Sequence, residues 1–89
     1  MLKISRINAT EESTTLQLEG SVSGAWVDEL RQLADITLAE GKSLIIDCCG
    51  VSFSDFQGQA LVRELLARKV RLINCSPFFQ SQLEPGSVL

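Results

Sequence analysis

Two carboxylates, Asp47 and Asp55, flank a short stretch that also holds the thiols of Cys48 and Cys49 and the hydroxyls of Ser52 and Ser54; a third thiol, Cys75, follows later. Paired carboxylates can divide acid–base work between them. Thiols can bind soft metals or exchange disulfides. A serine at a helix start can cap the helix or carry a phosphate. The chain has no histidine and no tyrosine, which removes the usual general base, the commonest metal ligand and every His-dependent triad. Structural zinc takes four ligands, and three cysteines without a histidine fall short. No Gly-rich phosphate loop or dinucleotide fingerprint accompanies the carboxylates. A non-enzymatic protein with no metal and no cofactor is therefore expected. Asp55 reads as a helix cap and Asp47 as an acceptor that orients the chain beyond its strand, although both could meet as a pair at one sheet edge. The cysteines read as small buried hydrophobes.

The elements that position these residues follow from periodicity. "LKISRI" (2–7) and "TTLQLEG" (14–20) predict two strands, the second alternating Leu16 and Leu18 with Gln17 and Glu19. Residues 25–41 predict a helix with Trp26, Val27, Leu30, Leu33, Ala34, Thr37 and Leu38 on one stripe, Ser23 as N-cap and Gly41 as C-terminal stop. "SLIID" (43–47) is a continuous apolar run, as in a strand buried on both faces, followed by a loop over 48–55. Residues 55–69 predict a second helix, with Gly58, Leu61, Val62, Leu65 and Leu66 facing inward. "VRLINC" (70–75) is a strand and "SPFFQSQL" (76–83) a short helix. The order β-β-α-β-α-β-α predicts one α/β domain over 1–89, with a small mixed sheet of about four strands. The stretch 43–75 is a β-α-β unit, so its strands should be parallel and their ends should share an edge. That brings one of Cys48 and Cys49 toward Cys75.

The junction "SFSDFQGQ" (52–59) concentrates the interest. Ser54 precedes Gln57 by the capping-box spacing, and Asp55 is an equally good cap alone. Gly58 inside a helix costs about 1 kcal/mol against Ala, which close approach of the helix to the sheet would explain. Phe56 falls on a mostly polar face with Gln59, Ala60 and Arg63, at the rim of the helix start, partly exposed. Aromatic residues of that kind are enriched at binding hot spots.

Bulk composition narrows the partners. The net charge of −3 argues against nucleic acid or an anionic membrane. Residues 1–62 carry four basic and nine acidic side chains; Arg68, Lys69 and Arg71 form the one basic cluster, at a helix end where cations suit the dipole. No apolar run reaches 18 residues, and no charged-then-apolar leader opens the chain. An odd cysteine count with an adjacent pair fits a reducing cytosol. A cytoplasmic protein is expected.

Taken together, "LQLEGSV", "SLIIDCCGVSFSDFQGQALV" and "VRLINCSPFFQSQL" resemble the STAS domain (sulfate transporter and anti-sigma factor antagonist), over residues 2 to 84. The family pattern is an apolar strand ending in Asp, a Gly-Val turn, then Asp-Ser-Ser-Gly or Asp-Ser-Thr-Gly opening a helix. Asp47, Gly50, Val51, Asp55 and Gly58 match that frame. The resemblance implies a protein-binding module like an anti-sigma factor antagonist, whose kinase-like anti-sigma partner phosphorylates the Ser or Thr before the motif Gly. Gln57 occupies that acceptor position here, and Phe56 the position before it, so the resemblance implies a partner surface without the phospho-switch. The expected contact set is Ser54, Asp55, Phe56, Gln57, Gly58 and Gln59, with Ser21, Ser23, Asp47 and Ser52 contributing from neighbouring segments. Ser21 and Ser23 stand near a turn where the family often has an acidic residue. Many members continue with another strand and helix after the segment matching "QSQL", so Phe78, Phe79 and Leu83 could form an apolar patch buried by a homodimer or a partner. Small STAS proteins also serve as subunits of membrane transport complexes, including lipid-transport ABC systems, and a transporter subunit is the alternative partner.

Overall fold

The computed structural model describes residues 1–77. Four strands and two helices follow in the order β1 (Leu2–Ala9), β2 (Ser13–Val22), α1 (Ala25–Ala39), β3 (Ser43–Ser54), α2 (Phe56–Ala67) and β4 (Arg71–Ile73). They form one mixed sheet in the order β1-β2-β3-β4. β1 pairs antiparallel with β2, and β2, β3 and β4 are mutually parallel neighbours. The mixed α/β sheet expected from the sequence is present. The expected third helix, with Phe78, Phe79 and Leu83, lies outside the described residues. Among the described residues no helix is long and apolar enough to cross a membrane, which says nothing of membrane proteins built from strands.

Both crossovers step the same way along the sheet, so right-handed connections put α1 and α2 on one face. The ion pairs Arg31–Glu64 (3.4 Å) and Arg68–Asp35 (2.6 Å) join the two helices side by side. Between helices and sheet lies one buried cluster. Leu16 and Leu18 of β2 and Leu44, Ile46 and Cys48 of β3 meet Val27, Leu30 and Ala34 of α1 and Leu61, Val62 and Leu65 of α2. These strand residues are two apart, the period of one sheet face. The basic cluster lies at a helix end as expected, where Arg68 pairs with Asp35.

Several boundaries differ from the sequence reading. β3 runs on to Ser54 instead of giving way to a loop after Asp47, because β2 also continues to Val22 and pairs with it as far as Ser54. Two register shifts, between Gln17 and Glu19 and between Gly20 and Ser21, absorb the irregular spacing of "CCGVSF". β4 is shorter than expected, since Asn74 adopts φ 58 and turns the chain out of the ladder. Trp26 is 37% exposed and not on the buried stripe, which Val27, Leu30, Ala34 and Thr37 form. The N-cap of α1 is Gly24, at φ 59, and not Ser23; no side chain caps that helix.

α2 ends in a Schellman motif. The Val70 N–H donates to the Leu65 carbonyl and the Lys69 N–H to that of Leu66, both at 3.0 Å, while Val70 and Leu65 are both buried. The motif needs a left-handed residue, and Lys69 supplies it at φ 67. A side chain there costs about 1 kcal/mol or more relative to glycine. Lys69→Gly should therefore raise stability by about 1 kcal/mol, seen as a higher urea midpoint at unchanged slope. A midpoint that stays put or falls would show that the lysine stem compensates for its backbone.

Candidate functional site: the paired strand ends and the two helix starts

Parallel pairing carries β2 and β3 to the same edge, where Val22 lies opposite Ser54. Each strand then feeds a helix, so the starts of α1 and α2 are neighbours at the carboxyl ends of the strands. Ligand and partner sites of open α/β sheets favour that edge.

Asp55 stitches this edge together. Its Oδ1 accepts from the Gly58 N–H at 2.7 Å and caps α2. Its Oδ2 accepts from the Gly24 N–H at 3.1 Å, at the start of α1. Its own N–H donates to the Val22 carbonyl at 3.2 Å. One carboxylate thus joins both helix starts while the backbone joins them to β2. The capping box read from Ser54 and Gln57 does not form. Ser54 is the last residue of β3, its side chain points into the interior at 3% exposure, and its Oγ has no hydrogen-bond partner among the described residues. Gly58 confirms the expected close approach: a Cβ there would collide with the Val22 carbonyl oxygen.

The predicted contact residues divide by burial. Phe56, directly after the cap, is 79% exposed, well beyond the partial exposure expected for it. Gln57 is exposed and lines a groove of about 280 Å³ between the helices, together with Val27, Asp28, Arg31 and Ala60. Gln59 is half-buried, its Nε2 donating to the Ser54 carbonyl at 3.3 Å. Ser54 and Gly58 are buried and shape the surface from beneath. Ser52 is exposed, with its Oγ donating to the Gly20 carbonyl at 3.2 Å. Ser21, half-buried, pairs with Phe53, and half-buried Ser23 precedes the Gly24 cap.

Phe53 is the residue that sequence reasoning missed. It is 57% exposed, three positions before Phe56. Placing residues 48–55 in a loop hid it. Read as a strand, the alternation of buried Ser54 and outward Phe53 gives the signal.

Asp47 belongs elsewhere. It lies between Gln17 and Ile73 in the middle of the sheet, where it is buried and its Oδ1 accepts from the Cys49 N–H at 2.9 Å. It is an acceptor as expected, but it acts inside β3 and not on a loop beyond the strand. At about 3.3 Å per residue it is roughly 26 Å along the chain from Asp55, so the two carboxylates form no acid–base pair at a shared edge. Among the described residues no group of three His, Cys, Asp or Glu side chains could hold a metal ion.

The same arrangement of strands and helices occurs in a solved structure. That of the anti-sigma factor antagonist SpoIIAA in its unphosphorylated form matches at a TM-score of 0.69 and 26% sequence identity, over 89% of this chain and 79% of that one. The chain folds as a STAS domain. No family model matches it, and no curated protein matches it significantly. The segment Asp55-Phe56-Gln57-Gly58 opens α2, with its aspartate serving as cap and its glycine as the point of contact with β2.

Proposed function

We propose that this STAS domain is a non-enzymatic regulatory module that binds a protein partner through the start of α2. The observation that carries the reading is Phe56. A large apolar side chain is presented to solvent from a backbone that Asp55 and Gly58 fix against β2. Pre-ordering of that kind lowers the entropy cost of docking. Phe53 and Gln57 extend the surface along the strand end and into the inter-helix groove. The likeness to an anti-sigma factor antagonist supports a partner of the kinase-like anti-sigma class.

Gln57 occupies the position where the family carries its phosphoacceptor. An amide neither accepts a phosphoryl group nor carries its charge. The module would therefore bind without a phosphorylation switch at that position.

The test is recovery of the tagged protein from its host at native expression, read by mass spectrometry, with a Phe56→Asp variant alongside. A kinase-like anti-sigma protein recovered with the parent and depleted at least tenfold with the variant is expected. Equal recovery of the same partner by both would remove the start of α2 from the interface. Recovery of permease or ATPase subunits in its place would overturn the anti-sigma assignment.

A further inference from the structure

The three cysteines play no part in the proposed binding surface. β3 and β4 run parallel, with Ile46 opposite Leu72 and Asp47 opposite Ile73. Two more residues in that register would set Cys75 opposite Cys49. The strand stops first. Asn74 enters the left-handed region at φ 58, and the chain leaves the ladder before Cys75. Cys75 instead packs, half-buried, on the core cluster that contains Cys48, while Cys49 is exposed to solvent. The Cys48 and Cys75 thiols are close enough for each to act electrostatically on the other.

We propose that Cys48 and Cys75 are a thiol pair that a low-molecular-weight disulfide converts into an internal disulfide, with Cys49 outside the pair. Cys75 is the entry point, because it is the half-buried member. Its thiolate, after losing a proton to solvent, attacks one sulfur of the external disulfide and expels the other as a thiolate. Cys48 then gives up its proton, and its sulfur attacks Cys75 Sγ. The Cys48–Cys75 bond forms and the second external thiolate leaves. Both leaving thiolates take up the released protons. Two protein thiols are oxidised and one external disulfide is reduced to two thiols.

Cys48 sets the pace. Burial raises its thiol well above the usual range, and contact with Cys75 and the charge of Asp47 add to the effect. The second step is therefore the slow one, and a mixed disulfide on Cys75 should accumulate before the internal bond. The product ties the middle of β3 to the segment leaving β4, an edge that three paired residues of β4 otherwise hold.

The test treats the folded full chain with oxidised glutathione and follows intact mass, then maps the peptides under non-reducing conditions. A glutathione adduct that gives way to a loss of two hydrogens is expected, with the peptide carrying Cys75 joined to the peptide carrying residue 48. Cys49→Ser settles which neighbour is used, since one peptide holds both Cys48 and Cys49. The cross-link should persist in that exposed-site variant and vanish in Cys75→Ser, which should stay monomeric and unbridged. Loss of the cross-link in Cys49→Ser, a stable adduct confined to Cys49, or no bond under conditions that bridge the urea-unfolded chain would each overturn the pairing.

Discussion

Gly58→Ala should destabilise the protein by about 2–4 kcal/mol, although the same exchange in a free helix would favour folding by about 1 kcal/mol. The sign is set by the neighbour. A methyl group on residue 58 would collide with the Val22 carbonyl oxygen and come within 3.1 Å of Val22 Cγ1. The obstacle is backbone, and it is held: the same carbonyl accepts from the Asp55 N–H, and Val22 is fully buried against the core. Relief would require α2 to lift from β2, which strains the Asp55 contacts to Gly24 and Gly58 together. Urea unfolding followed by circular dichroism measures the effect as a lower midpoint at unchanged slope. A neutral or stabilising result would show that the helix rides further from the sheet. The stability loss should also come with altered partner binding, since Phe56 and Gln57 sit on the turn that has to move.

The fold was legible wherever one pattern dominated. The 3.6-residue spacing of Val27, Leu30 and Ala34 and of Leu61, Val62 and Leu65 located both helices, and all six are buried. The parallel order followed from helices between strands. Gly41 marked the end of α1 because its φ of 79 is one that glycine alone adopts freely. Legibility failed where tertiary pairing overrode local chemistry. "CCGVSFS" has the small and polar residues of a loop, yet the extended β2 beside it recruits it as strand. That error concealed Phe53 and put Ser54 on a surface it does not reach. Ser23 looked like a better cap than Gly24, but the chain has to turn there through a positive φ, which a serine side chain resists.

The candidate site was half visible for a related reason. Residue type alone separates neither a cap from a contact nor a buried serine from an exposed one. Asp55 and Phe56 stand side by side in sequence; one side chain is consumed by two backbone amides, and the other is left to solvent. Which is which depends on the Gly24 amide, thirty-one residues earlier in the chain. The pairing of Cys75 with Cys48 over Cys49 has the same character. A register count favours the wrong neighbour, and the left-handed turn at Asn74 decides against it.

Replacing Asp55 separates the two jobs of its carboxylate. Asp55→Ala removes the acceptor for Gly58 and the acceptor for Gly24, and should cost about 2 kcal/mol. The cap accounts for about 1 kcal/mol of this. The bond to Gly24 adds a similar amount, less than a buried charged bond would, because the Gly24 amide is exposed and water can replace the lost partner. Asp55→Asn keeps one side-chain oxygen and exchanges the other for a donor that cannot face the second amide. It should retain the cap on α2, release Gly24, and cost about half as much. Amide hydrogen exchange distinguishes the sites. In the Asn variant, protection should fall at Gly24 and persist at Gly58; in the Ala variant it should fall at both. Equal losses of stability in the two variants would mean that the Gly24 bond contributes nothing and that the helix starts are aligned by the sheet alone. If the Asn variant also loses partner affinity while keeping its cap, the surface depends on how α1 is set against α2, and the groove lined by Val27, Asp28 and Gln57 belongs to the interface as well as Phe56.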